Sequence, residues 1–137
     1  MSKNYDSLIK GGTLATYEGA EPVDIAIKDG QFAALDRFSD SEAGELADEV
    51  IDATGLTILP GVIDTQVHFR EPGLGAKEDL ESGSRAAVMG GVTAVFEMPN
   101  TKPPTTTAEA VAEKVALGQD RMQCDFAFYV GGTPDNA

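Results

Sequence analysis

Tryptophan is absent from this 137-residue chain, cysteine and histidine occur once each, and 10 basic residues stand against 23 acidic ones. The single Cys124 can form no internal disulfide. It precedes the apolar run Phe126 to Val130, and no second histidine exists to activate it, so it reads as an inert buried thiol rather than a nucleophile. The shortage of cations, with a formal charge of -13, argues against a chain that gains affinity by neutralising nucleic-acid phosphates. No apolar run reaches bilayer length, and Met1-Ser2-Lys3-Asn4-Tyr5-Asp6 lacks the charged-then-apolar layout of a signal peptide. The expectation is a cytoplasmic protein without a membrane or nucleic-acid partner. Glycine-rich phosphate loops, a Ser-His-Asp order and paired Cys-x-x-Cys motifs are missing as well.

What is present suffices for a core, at 42% hydrophobic residues. Up to about Gly55 the pattern is one of short strands and turns. One hairpin is expected from Ser7–Lys10 through Gly11-Gly12 to Thr13–Thr16, and a second from Asp24–Lys28 through Asp29-Gly30 to Gln31–Leu35. The acid-rich stretch Asp36–Asp52, with Asp40, Glu42, Glu45, Asp48 and Glu49, reads as a solvated loop that ends in a short strand, Val50–Ala53. From Thr57 onward strands and helices alternate: strand Thr57–Asp64, helix Lys77–Met89, strand Val92–Met98, helix Thr107–Leu117 and strand Cys124–Val130. Gly90-Gly91 and Gly118 are helix stops, and Thr106 with Glu109 fits a capping box. Apolar strands separated by helices imply parallel pairing, in a barrel or equally in an open doubly wound sheet.

The segment from Leu59-Pro60-Gly61-Val62-Ile63-Asp64 to Thr65-Gln66-Val67-His68-Phe69-Arg70-Glu71-Pro72-Gly73 concentrates the chemistry. Gln66, His68 and Arg70 follow at spacing two and share one face if the chain stays extended. His68 is a potential metal ligand. Arg70 carries a planar guanidinium that can grip a carboxylate through two parallel hydrogen bonds, unless it is spent on a salt bridge with Glu71 or Glu97. Gln66 offers only a neutral amide oxygen, either as a weak ligand or as a hydrogen-bonding group that orients His68. Glu78 and Asp79 open an expected helix, where negative charge is favourable, and Glu97 lies within an apolar strand.

These motifs resemble the amidohydrolase superfamily, and within it the dihydroorotases, whose first barrel strand ends in His-x-His-x-Arg followed by Glu-Pro-Gly. His68, Arg70 and Glu71-Pro72-Gly73 stand as that pattern has them, and Gln66 replaces its first histidine. Gly91-Val92-Thr93-Ala94-Val95-Phe96-Glu97-Met98-Pro99-Asn100-Thr101 resembles the second strand and its Met-Pro-Asn-Thr ending. The resemblance implies an α/β fold: the opening strands and helices of a TIM-like metal-dependent hydrolase barrel (57–137), preceded by part of a small β-sandwich (1–56). A closed barrel needs about 250 residues, so an incomplete barrel, inactive alone, is expected.

The activity implied is cyclic amide hydrolysis, the interconversion of N-carbamoyl-aspartate and dihydroorotate in pyrimidine synthesis. Arg70 and Asn100 would hold the substrate carboxylate, although Pro99-Asn100-Thr101 is also ordinary turn chemistry. His68, and more doubtfully Gln66, would ligate one or two zinc ions, the first held weakly if at all; no catalytic residue is identified in the span. Two alternatives stay open. One is a silent homologue acting as structural partner of aspartate transcarbamoylase, and the other is a hydantoinase- or allantoinase-type hydrolase; a homo-oligomer or an aspartate transcarbamoylase partner is the assembly the resemblance leaves open.

Overall fold

The computed structural model describes residues 3–136 as two compact units, Met1–Pro60 and Gly61–Ala137. The first unit holds strands β1 (Tyr5–Lys10), β2 (Thr13–Thr16), β3 (Gly19–Pro22), β4 (Asp24–Lys28) and β5 (Gln31–Asp36). Helix α1 (Asp40–Leu46), β6 (Ala47–Asp52) and β7 (Thr57–Ile58) complete it. They form a four-stranded sheet of order β5-β4-β1-β6 and a three-stranded sheet of order β3-β2-β7. Leu8, Ala26, Ala43 and Ala47 are its buried apolar cluster, with Tyr5, Ala34 and Phe38 packed around them.

The second expected hairpin is present. β4 and β5 pair antiparallel across Asp29 and Gly30, whose φ angles of 50° and 71° are the two positive values of a tight hairpin turn. The first is not a hairpin, because β1 pairs with β4 and β6 while β2 pairs with β3 and β7. Gly11-Gly12 instead carries the chain from one sheet to the other: a Cβ on Gly12 would lie 2.5 Å from the Ile58 side chain. The acid-rich stretch is not a loop either. Ser39 caps α1 in a reciprocal box with Glu42, and β6 then pairs in parallel with β1.

The expected strand Thr57–Asp64 is broken at Pro60-Gly61. Its first part, β7, belongs to the first unit, and β8 (Val62–Val67) starts the second. There α2 (Leu80–Met89), β9 (Val92–Glu97), α3 (Ala108–Gly118) and β10 (Asp125–Phe128) follow in the expected alternation. The sheet order is β10-β9-β8, with both pairs parallel. Helix α2 begins later than expected because Asp79 is its N-cap, in a box with Ser82, so Glu78 lies outside it. Thr107 rather than Thr106 caps α3, accepting from the Ala110 N–H. Phe69, Leu80 and Val95 form the buried cluster, joined by Val67, Leu117, Met122, Phe126 and Phe128. Helices placed between parallel strands put the loops that follow β8, β9 and β10 at one end of the sheet, where α/β proteins carry their sites. No helix among the described residues is long and apolar enough to cross a membrane.

Candidate functional site

Regular pairing stops at Val67, yet the alternation continues for three more residues. Val67 and Phe69 turn into the core with Leu80, while Gln66, His68 and Arg70 are exposed on the opposite side. Phe69 fixes this phase. It lies so close to α2 that a Cβ on Gly83 would come within 2.6 Å of its ring, so only glycine lets the ring sit there. The shared face of the three polar residues therefore has a mechanical cause in the buried phenylalanine between them.

His68 and Asn100, from the segments after β8 and β9, meet at 3.0 Å between Nδ1 and Oδ1. An amide oxygen only accepts, so the imidazole must donate from Nδ1. In the neutral tautomer with this bond the lone pair is on Nε2, the arrangement of a ligating histidine whose other nitrogen is held. Asn100, not Gln66, orients this ring. Among the described residues the Gln66 side chain makes no hydrogen bond, and only its backbone N–H is engaged, donating to Asp64 Oδ1 at 3.0 Å.

Arg70 does not form the salt bridge that Glu71 or Glu97 could have offered, because both acids are taken. Arg121 donates from its two terminal nitrogens to the two oxygens of Glu71, each at 3.0 Å, and the Leu80 N–H donates to Glu71 Oε2 at 3.0 Å. The Arg121 guanidinium holds the Glu71 carboxyl below its ordinary range, against a smaller opposing effect of burial. Glu97 is 1% exposed and pairs with Lys114, 2% exposed, on α3. Burial pushes the Glu97 carboxyl up, with Lys114 opposing. The Arg70 guanidinium is exposed and enters no ion pair among the described residues.

The loops around these residues are tied to one another. Lys102 N–H donates to Pro72 O at 3.1 Å, and Gly73 lies flat against the Lys102 carbonyl, where a Cβ would come within 2.0 Å. Thr105 N–H donates to Pro99 O and Gly131 N–H to Thr105 O, joining the segment after β9 to the one after β10. An open depression lies here, walled by Thr65, Gln66, Met98, Pro99 and residues 129–132. Cys124 is half-buried, and burial first, then Asp125, pushes its thiol up, as suits an unreactive group.

The span fits one ligand of a metal centre and not the centre. Zinc sites take at least three protein donors. Among the described residues no three His, Cys, Asp or Glu side chains converge, and His68 is the only imidazole. Gln66 is near His68 in sequence but brings no imidazole.

Arg121, Lys114 and the depression beside Tyr129 were not foreseen from the sequence. For Lys114 a signal existed, since Val111, Lys114, Val115 and Gly118 lie on one helical stripe, and a charged residue on an apolar stripe calls for a buried partner. For Arg121, 50 residues from Glu71, there was none.

The profile of the Amidohydrolase family matches residues 57–133. The chain is 39% identical over 135 residues to an allantoinase of Bacillus licheniformis, covering 96% of this chain and 29% of the relative. It is 40% identical over 134 residues to an L-hydantoinase of Paenarthrobacter aurescens, covering 96% and 28%. To a dihydroorotase of Methanothermobacter thermautotrophicus it is 41% identical over 110 residues, covering 80% and 24%. Among solved structures, L-hydantoinase (dihydropyrimidinase) from Arthrobacter aurescens superposes with a TM-score of 0.89 at 38% identity, over 96% of this chain and 29% of that one. The chain thus spans less than a third of the length of these relatives. With the profile covering more than half of its residues, the chain belongs to the amidohydrolase family.

Proposed function

We propose that this chain contributes the carboxylate-recognition corner of a cyclic amide hydrolase whose substrate is dihydroorotate, or N-carbamoyl-aspartate in the reverse direction. The observation that carries the proposal is the unpaired guanidinium of Arg70, left free because Glu71 and Glu97 are each held by another cation. A ring carboxylate can take two parallel hydrogen bonds from it. Asn100, whose oxygen is occupied by His68, has its amide hydrogens to donate to the same anion. His68 would supply Nε2 to a metal centre completed by donors outside these residues; when bound, such a metal supplies an activated water for amide hydrolysis. In the whole protein these residues would open a TIM-like barrel whose metal is zinc.

Isothermal titration of the 137-residue chain with dihydroorotate tests the carboxylate reading. Binding that falls on the order of tenfold or more in Arg70→Met, with no binding of dihydrouracil, supports it, since a charge-assisted pair is worth about 1.5–3 kcal/mol. Equal binding of both rings would overturn it. With a single imidazole, the chain by itself is expected to open no dihydroorotate ring above a metal-only blank.

A second reading has its own support. The similarity to the allantoinase and the L-hydantoinase runs over 96% of this chain, against 80% for the dihydroorotase. On that reading allantoin or a hydantoin, neither needing a carboxylate clamp, would compete for the site and Arg70→Met would leave their binding intact.

A further inference from the structure

The geometry points to Arg121 as a positioning residue of the anion site, one that acts by keeping the carboxylate of Glu71 away from the neighbouring Arg70. This rests on the reading of Arg70 as a carboxylate receptor. Glu71 follows Arg70 directly, in the turn where the extended segment ends, and is the acid that could swing across and neutralise it if released. Here the neutralisation is prevented by three bonds on Glu71. Arg121 contributes two of them, as a fork matched to both carboxylate oxygens, and the Leu80 N–H at the start of α2 contributes the third.

Arg121 is itself anchored to α3. Its Nη1 also donates to the Leu117 carbonyl in the last turn of α3, at 3.0 Å, which restrains the guanidinium on the helix side of Glu71. The pair is only partly buried, with side-chain exposures of 33% and 19%, too exposed to be a major source of stability. Its consequence lies in direction. Glu71 is pulled toward the helices, on the side to which Phe69 points, while Arg70 remains exposed with His68. Lys114 does the same for Glu97 within the core. Glu71 and Glu97, the two acids weighed as salt-bridge partners of Arg70, are thus each held by another cation.

A simple structural tether and this sequestering role differ in one measurable way. If Arg121 only braces the loop, losing it harms the site whether or not Glu71 is charged. If it restrains a competitor, neutralising Glu71 repairs the loss. Dihydroorotate is titrated into the 137-residue chain and into Arg121→Met, Glu71→Gln and the double variant. The expected result is weakening on the order of tenfold in Arg121→Met and return to within about twofold of wild type in the double variant. A double variant as weak as Arg121→Met would overturn the proposal.

The Arg70 Nε–H signal gives a second measurement that needs no ligand. It should become protected from exchange in Arg121→Met, as Glu71 closes on it, and revert in the double variant; an unchanged signal would count against the proposal. Should the wild-type chain fail to bind dihydroorotate, the carboxylate reading fails, and the Arg70 signal still decides this inference. Should Arg121→Met fail to fold, Arg121→Lys serves in its place, since it keeps one bond to Glu71 and loses the fork.

Discussion

Each unit buries a carboxylate, and the two solve the same problem in opposite ways. Asp24, in the first unit, is 2% exposed and accepts from two backbone N–H groups, Gly11 at 2.8 Å and Phe38 at 3.0 Å. Burial pushes its carboxyl up, but those amides, aided by Lys10 and Arg37, bring it net below its ordinary range. Glu97, in the second unit, is 1% exposed; its carboxylate and the Lys114 ammonium have only each other, with Phe128 lying 5.0 Å beneath the ammonium. Burial wins there, and the carboxyl is raised. Backbone amides are fixed by the fold and carry no desolvation cost of a second charge, whereas a lysine must itself be taken out of water. Asp24 is therefore a staple between two turns, and Glu97 is half of a device that fails if either half is removed.

The largest effect expected from this difference is at Lys114. Lys114→Met leaves a buried carboxylate without its only partner and should destabilise the chain by about 3–5 kcal/mol, read as a lowered urea midpoint at unchanged slope. The double variant Glu97→Leu with Lys114→Met should recover most of that loss, because two apolar side chains can fill the same space without desolvating ions. Failure to recover would mean that the pair contributes geometry that packing cannot replace. At Asp24 the expected cost is smaller. Asp24→Asn keeps one acceptor but turns an NH2 group toward the other backbone N–H, leaving one donor unpaired at about 1–3 kcal/mol.

The same contrast explains what was legible in the sequence. Local chemistry could be read directly: Asp29-Gly30 announces a hairpin, and the alternation of Gln66, His68 and Arg70 against Val67 and Phe69 announces a common face. Ser39-Asp40-Ser41-Glu42 carried the capping signature of α1, but the density of acid around it read as a solvated loop. The β1 strand could not be paired correctly, since its partner β6 runs parallel to it and lies some 40 residues away, with no turn motif to mark the register. The site followed the same rule. The residues within one motif were visible, and the cations that keep its acids occupied were not, since Arg121 and Lys114 reach Glu71 and Glu97 only through the tertiary fold.

Glu71 lies between the two extremes, accepting from one backbone N–H where Asp24 accepts from two, and pairing with one cation as Glu97 does. Its loss should accordingly cost least: Arg121→Met removes a partly exposed pair worth about 1 kcal/mol or less. What distinguishes it is the sign of its pH dependence. Because Arg121 lowers the Glu71 carboxyl below its ordinary 4.5, the folded state binds fewer protons than the unfolded one as acid is added. The stability it contributes is present above that ordinary value and is lost as the pH falls through the lowered one. Glu97, raised by burial, contributes oppositely: over the interval above 4.5 the folded state holds the extra proton, so stability declines as pH rises through it. Glu71→Gln should therefore flatten the loss of stability as the pH falls below the ordinary 4.5, measured by urea unfolding at each pH. A variant that loses stability in acid as steeply as the wild type would show that the Glu71 and Arg121 bonds do not survive in solution, and the comparison of the three carboxylates would reduce to Asp24 and Glu97 alone.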